Sequence, residues 1–531
     1  MAQKAHLDDM AQQSSTPPSE TTTTPLLAST TTDDAQHNAS EQETQTSHNS
    51  SFFRSEAFVF TILIVAILAL STGDQLQAPA QTRIIESIYC RSYYAEHDPS
   101  LIGSDGGDGV AEVYCKNHVI QGQVAMLRGW QITIEAFVML LVSVPWGYAA
   151  DVYGRKPVVV ILVFGLFLRA AWIQVVCWFW KTIPIKAVWA AAGFTLLGGG
   201  DAVTIAIVFT IISDVVPEAR RASKFFLIGG SAMFTQVVGP FGSAALMELD
   251  PWIPNFLGLA LQGIVLFPVL LLPETKDYRT DDHPSASHEP PQEPTETAST
   301  STVKLSPFAM LKAAVQDSVA FLASDTRLLL LIPAFFMHML VSSSDILVQY
   351  ISTRYGLSLA DATFVITMRS ACVLALMLAF YPVLNHILRT RLKWHPQRSD
   401  LYLSRFCVIV TAFGFLFMAV APSLPLLMVA MAVNTLGSGL HLYLRNLATS
   451  LVEPHHVARL MTLISWIDTA GLMIASPSLA WLFERGVDLG GLWMGLPFLF
   501  TAGIFGVIGV FIGMISLSGR RLAAEEEPLL A

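Results

Sequence analysis

Hydrophobic runs close to twenty residues long, separated by short polar stretches, recur along most of the chain. A helix needs ~20 apolar residues to cross a bilayer, whereas barrel strands are shorter and alternate apolar with polar residues. The runs therefore predict an all-α membrane protein with twelve transmembrane helices, at about 57–77, 129–150, 157–180, 187–212, 225–247, 255–273, 327–350, 362–384, 401–421, 424–447, 460–483 and 491–517.

The polar segments divide the chain into five parts. Residues 1–55 are rich in Ser, Thr, Gln and Pro and are predicted to be a disordered cytoplasmic tail, with a second tail at 518–531. Residues 56–273 and 326–517 each contain six of the apolar runs. Between them, 274–325 is predicted to be a cytoplasmic linker, in which Phe308 to Leu322 show the spacing of an amphipathic helix on the membrane surface.

The distribution of Lys and Arg predicts the orientation. Short loops on one side of the membrane hold more basic residues, including Arg155 and Lys156, than the loops on the other side. Cytoplasmic loops carry this excess, so both termini are expected in the cytoplasm.

Composition excludes several classes of function. Of 531 residues, 53% are apolar and only 14% are charged, and the mean hydropathy is +0.52. The net charge of −10 without any basic block leaves no electrostatic footprint for nucleic acid. Since no P-loop, metal-ligand spacing or nucleophilic triad is found, we expect neither a cofactor nor enzymatic activity.

The two halves of the chain echo each other. The pattern Ser-x-Val-x-Pro ends at Pro217 and recurs 237 residues later, where it ends at Pro454. Pro240 and Pro477 have the same separation. This favours two pseudo-symmetric six-helix halves, as in transporters built from parallel repeats.

The turn between the second and third spans carries a specific motif, formed by Gly147, Asp151, Gly154, Arg155 and Lys156. It resembles the G-x-x-x-D-x-x-G-R-[KR] signature of the major facilitator superfamily. Gly147 is expected to allow a close helix approach, Gly154 to make the tight turn, and Asp151 to cap or bind a helix N-terminus across the interface. The resemblance implies a secondary transporter that binds its substrate between the halves.

Further stretches are similar to fungal members related to the proton-coupled folate transporter branch. They include Leu197 to Asp201, Ser213 to Arg221 and Leu272 to Thr275. The resemblance implies proton-driven efflux of a secondary metabolite or toxin. Two alternatives remain: proton-coupled uptake of an organic anion, and a membrane sensor that has the fold but does not transport.

Ionisable residues inside the spans are candidates for the substrate or proton pathway, because each needs a partner or a cavity. The candidates are Glu135, Arg169, Asp201, Asp345, Arg369 and Arg445, with Asp74, His338, His441 and Asp468 as weaker ones. Glu135 is the candidate for the carboxylate that binds the coupled proton, and it is expected to face Arg369 across the cavity. Arg169 and Asp201 are expected either to form a structural ion pair or to contact substrate or protons. Asp74 and Asp345 can instead be solvated near the outer ends of their spans.

The remaining expectations concern the loops, the partners and the compartment. Cys90 and Cys115 share the first outer loop, where an oxidising compartment favours a disulfide. The expected partners are a small-molecule substrate, protons and membrane lipids, and the protein is expected to be a monomer. The plasma membrane is the expected location of this multi-pass protein. An acidic dileucine pattern from Glu525 to Leu530 favours the vacuolar membrane as the alternative.

Overall fold

A computed structural model describes residues 55–107, 109–275, 326–338, 344–452 and 457–515. The two predicted tails, the linker with its amphipathic helix and the dileucine pattern lie outside these residues. The described ranges contain no strand. Their main helices are α1 (Glu56–His97), α2 (His118–Tyr153), α3 (Arg155–Trp178), α4 (Ile185–Val215), α5 (Glu218–Met247), α6 (Trp252–Leu270), α7 (Thr326–His338), α8 (Ser344–Tyr355), α9 (Leu359–Arg391), α10 (Pro396–Val420), α11 (Leu424–Ser450), α12 (Val457–Leu489) and α13 (Gly491–Met514), and two short 3-10 helices, Pro99–Leu101 and Glu112–Lys116, lie between α1 and α2.

Eleven of the described helices are long and apolar enough to cross a membrane. The seventh predicted span, at 327–350, corresponds to the short helices α7 and α8, and residues 339–343 between them are outside the described ranges. The all-helical membrane fold predicted from the hydrophobic runs is thereby confirmed.

The first outer loop is shorter than the sequence predicted. Helix α1 continues to His97 and α2 begins at His118, so the connection covers about 98–117 and not 78–128. The polar residues that suggested an early end of the first span, among them Gln77 and Gln81, are buried inside the protein. A polar side chain that packs against other helices does not terminate a membrane helix.

Each half of the chain has its own hydrophobic core. One cluster of buried side chains extends from Val59 to Leu272. Another extends from Leu328 to Ile515 and takes in one residue of the first half, Ala125.

The halves meet along α2 with α12 and along α5 with α9. A Cβ atom at Gly129 would lie 2.8 Å from Cβ of Ala480, so α2 and α12 are in close contact. Further along, the Thr133 hydroxyl donates a hydrogen bond to the Met473 carbonyl at 3.1 Å. Small residues permit this approach of membrane helices.

Glu112, Arg83 and Lys116 connect the two halves at the face that carries the Cys90–Cys115 disulfide. We call this cluster the latch and this side of the protein the disulfide face. Glu112 lies in the bridged loop, and its Oε1 accepts a hydrogen bond from the Leu359 N–H at 2.7 Å. Leu359 is the first residue of α9, where exposed N–H groups and the helix dipole attract a carboxylate. Arg83 at 3.1 Å and Lys116 at 2.8 Å fix the same carboxylate.

The opposite face, which holds the turn between α2 and α3, is called the signature-loop face. Gly229 and Gly230 of α5 have open space where a Cβ would be. Gly147 of α2 does too, so the expectation that it allows a close helix approach is wrong for this conformation. Among the described residues, the contacts between the halves lie at the disulfide face and along the adjoining parts of α2, α5, α9 and α12.

Replacement of Glu112 by Ala is expected to loosen the disulfide face, because it removes both the cap on α9 and the partner of Arg83 and Lys116. Spin labels on Cys residues placed at the exposed Val113 and Leu492, in a background without Cys177, Cys372 and Cys407, would measure the distance. We expect a larger share of long distances in the variant. Glu96→Gln, an exposed change on α1, is the control.

The latch is also expected to depend on pH. Burial raises the pKa of Glu112, but Arg83 and Lys116 lower it by more, so the pKa lies below its ordinary value. The charged carboxylate therefore stabilises the closed face above the ordinary pKa, and this contribution is lost as the pH falls through the lowered pKa. Label distances that widen between pH 7 and 5 would contradict this assignment.

Candidate functional site

A cavity of about 830 Å³ lies among the helices of the first half and reaches α11 of the second half. Most of its ionisable lining comes from the predicted site residues: Glu135, Arg169, Asp201 and Arg445, together with Asp74 and Arg128. Its volume falls in the range of pockets that bind small organic molecules. Within the described ranges, no cluster of three or more His, Cys, Asp or Glu side chains is placed to hold a metal ion.

Arg169 of α3 joins three helices through two carboxylates. Its Nη1 lies 3.0 Å from Glu135 Oε2 of α2, and its Nη2 lies 3.1 Å from Asp74 Oδ1 of α1. Gln131 donates to Glu135 at 3.1 Å and Gln262 donates to Asp74 at 2.9 Å. The guanidinium group suits this arrangement because its planar fork can serve two carboxylates at once.

Packing of small residues brings these partners together. A Cβ atom on Gly73 of α1 would lie 2.8 Å from the carbonyl oxygen of Gly258 of α6. The two backbones therefore nearly touch, and Asp74 comes within reach of Gln262 one turn further along α6. Asp74 keeps 36% of its side chain accessible, on the wall of the cavity. The alternative in which Asp74 is solvated near the outer interface is thus wrong, and its place as a cavity residue agrees with its inclusion among the pathway candidates.

Asp201 has a different place from the one the sequence suggested. It lies in the first turn of the second segment of α4, Gly200–Val215, and lines the cavity. The charge of Asp201 acts on Arg169 through space, but the direct ion pairs of Arg169 in the described chain go to Glu135 and Asp74. The expected Arg169–Asp201 ion pair is therefore not formed.

The candidates of the second half are distributed over separate positions. Arg445 lines the main cavity and binds Asp468 of α12 at 3.0 Å. Arg369 lines a smaller neighbouring cavity, with Asn434 as its polar contact at 3.5 Å. The expectation that Arg369 faces Glu135 is wrong, since the two line different cavities and Glu135 binds Arg169. The side chains of Asp345 and His338 lie outside what the structure describes.

The signature loop forms an ionic cluster within the first half. Arg155 binds Asp151 one turn before it and lies 3.4 Å from Asp214 of α4. Asp151 therefore does not cap a helix across the interface, as the motif suggested. The carboxylate of Asp151 instead binds Arg155, four residues later in the chain.

Glu274, just after α6, takes the capping role that was expected of Asp151. It accepts hydrogen bonds from the backbone N–H groups of Arg155 at 2.8 Å and Lys156 at 3.2 Å, at the start of α3. Gly154 makes the turn with φ of +101°, a value that favours glycine, as expected.

Sequence reasoning missed the glutamines that complete the site. Arg128 donates to Gln81 at 3.2 Å and to Gln131 at 3.1 Å, which continues the network from Glu135 towards the disulfide face. The available signal was the presence of several glutamines in otherwise apolar helices. Such side chains are buried in a membrane protein only where other polar groups meet them.

Replacement of Arg169 by Gln is expected to destabilise the protein by about 3 kcal/mol, because removal of one partner leaves buried carboxylates without a cation. The change would be read as a lower thermal unfolding midpoint in detergent. Arg169→Gln combined with Glu135→Gln is expected to recover part of the loss.

Arg485→Gln provides the matched control. Its pair with Asp488, at 3.9 Å, is well exposed on both sides, and exposed pairs contribute roughly 0–1 kcal/mol. Equal losses from the two single variants would contradict a structural role for the Arg169 network.

Comparisons with known proteins agree with this architecture. The family model described as Major Facilitator Superfamily matches residues 125–476. The MFS efflux pump atnC of Emericella nidulans is 28% identical over 465 residues, covering 86% of this chain and 87% of its own length. The MFS-type transporter aprT of Aspergillus flavus is 29% identical over 458 residues, covering 86% and 88%.

A solved structure shows the same fold at low sequence identity. The D-xylose–proton symporter aligns with a TM-score of 0.57 at 11% identity, over 87% of this chain and 98% of its own. Helix arrangement, signature loop and family match lead to one conclusion: the chain belongs to the Major Facilitator Superfamily of secondary transporters.

Proposed function

We propose that this protein exports a small organic metabolite or toxin from the cytoplasm, driven by protons that move in the opposite direction. The observation that carries the proposal is the cavity of about 830 Å³, which is closed at the disulfide face and contains a carboxylate network around Arg169. The similarity to atnC, a protein named as an efflux pump, supports the direction.

The sidedness of the protein follows from two features. Disulfides form in oxidising compartments, which favours an extracellular or lumenal disulfide face. The signature-loop face carries the excess of basic residues, as cytoplasmic faces do. In this orientation Glu112 and its partners close the outer side, and we propose that the substrate enters the cavity from the cytoplasm.

Alternating access then requires the contacts at the disulfide face to separate and the cytoplasmic face to close. Rocking of one half against the other would separate Glu112 from α9 and bring α5 of the first half towards the second half at the cytoplasmic face. The substrate would leave on the side of the disulfide.

The proton pathway is assigned to the acidic network. Asp74, Glu135 and Asp201 place three carboxylates around Arg169. We propose that these carboxylates, which share one guanidinium group, are the groups that exchange protons with the cavity. A proton on Glu135 would weaken its bond to Arg169 and release that guanidinium for another partner, which couples protonation to the packing of α2 on α3.

The substrate and the direction can be tested in cells. Untargeted mass spectrometry would compare medium and cytosol of cells with and without the protein. A compound retained inside cells that lack the protein is the expected result. A compound left in the medium by those cells would overturn the direction in favour of uptake, and binding without saturable flux would favour the sensor.

Proton coupling can be tested with the compound so identified, in proteoliposomes under an imposed pH gradient. Glu135→Gln is expected to lower gradient-driven flux by roughly tenfold or more while substrate exchange without a gradient continues. Glu96→Gln is the control for a lost carboxylate outside the cavity. Normal gradient-driven flux in Glu135→Gln would remove this residue from the proton pathway.

The plasma membrane is the proposed location, with the vacuolar membrane as the alternative. A fluorescent fusion at the N-terminus, viewed beside markers of both membranes, would distinguish them.

A further inference from the structure

Arg369 lies in a setting unlike that of Arg169 and Arg445. A cavity of about 270 Å³ lies between α9, α10, α11 and α13 of the second half and α5 of the first half. Met233 and Gln236 of α5 line both this cavity and the main one, so the two are adjacent lobes of one space.

The smaller lobe has a positive charge with no acidic neighbour. No Asp or Glu lines it, and no described carboxylate lies within ion-pair distance of Arg369. Its one described hydrogen bond goes to Asn434 Oδ1 at 3.5 Å, and its buried Nε has no partner within the described residues. By contrast, Arg169 and Arg445 each bind a carboxylate at 3.0 Å.

An unneutralised guanidinium among packed helices is costly unless a negative charge joins it. The residues around it are suited to the rest of such a ligand. The buried Thr411 hydroxyl has no hydrogen-bond partner in the described chain, and Ser370 and Ser438 line the same space. Val373, Leu374 and Phe505 supply apolar walls.

We infer that Arg369 is the binding site for a carboxylate group of the transported substrate, which is therefore an organic anion with an apolar body. The carboxylate would bind the guanidinium beside Asn434 and Thr411. The smaller lobe would contain the carboxylate end of the substrate. The rest of the substrate would extend past Met233 and Gln236 into the main cavity. This inference rests on the proposed transport function and specifies its substrate class.

The two lobes differ in charge, so an anionic group is expected to bind in the smaller lobe, which contains Arg369. The main lobe contains the carboxylates around Arg169, whereas the smaller lobe contains Arg369. A carboxylate is attracted to Arg369 in the second half, where no described acidic side chain competes for it. Arg169 and Arg445, in the main lobe, already bind carboxylates. The substrate is thus oriented across the interface between the halves, where rocking can act on it.

A matched pair of probes can test the inference on the purified full-length protein in detergent. 4-Phenylbutyrate and its amide, 4-phenylbutyramide, differ in charge but hardly in shape. A ligand that binds the folded state raises the thermal unfolding midpoint. We expect the acid at millimolar concentration to raise the midpoint and the amide to have little effect.

Variants locate the site. Arg369→Gln is expected to weaken binding of the acid by roughly tenfold or more, because a charge-assisted hydrogen bond is lost. Arg369→Lys keeps the charge and should retain part of the affinity, which separates charge recognition from damage to the fold. Arg485→Gln is the control for loss of a surface arginine.

The outcomes separate this inference from the proposed function. Equal effects of acid and amide, no effect of either, or undiminished binding of the acid by Arg369→Gln would overturn the anion site. Export of an uncharged compound would overturn it too, while the proposed function stands. Binding of the acid through Arg369 without any export would instead overturn the proposed function and leave the anion site.

Discussion

The need to partner every charge buried among membrane helices governs the centre of this protein. Arg169 meets this need for Glu135 and Asp74, and in doing so it connects α3 to α2 and α1. The glutamines on either side extend the same network to α6. The arrangement of the first half therefore depends on one guanidinium group, and any proton that enters the network alters the contacts between its helices.

Closure of the disulfide face depends on a second charged group, outside the apolar layer. Glu112 belongs to the disulfide-bridged loop of the first half but binds the first backbone N–H of α9 in the second half. The Glu112 contact lies at the disulfide face and is affected by the pH and ions on that side. The Arg169 network lines the cavity and is affected by what binds there. The Glu112 contact and the Arg169 network can therefore change independently. This suits a transporter in which opening of one face and binding of the substrate are separate steps.

The second half is organised differently from the first at its centre. Arg445 is neutralised by Asp468, but Arg369 has no acidic partner in the described chain. The main lobe contains arginines bound to carboxylates, whereas the smaller lobe contains an arginine without a described acidic partner, so the two lobes differ in charge although the halves resemble each other in helix order. This difference in charge is the basis of our inference that the substrate is an anion bound in one orientation.

The sequence by itself determined the all-helical membrane fold, the signature loop and the approximate set of charged residues, because hydrophobic run length and the cost of a membrane-buried charge are local properties. Only the tertiary structure decided which charges meet. Arg169 binds Asp74 and not Asp201, Glu274 caps α3 in place of Asp151, and Glu135 lies away from Arg369. Such pairings depend on the rotation of each helix and on approaches of a few ångströms, such as that of Gly73 to Gly258, and periodicity along the chain does not encode them.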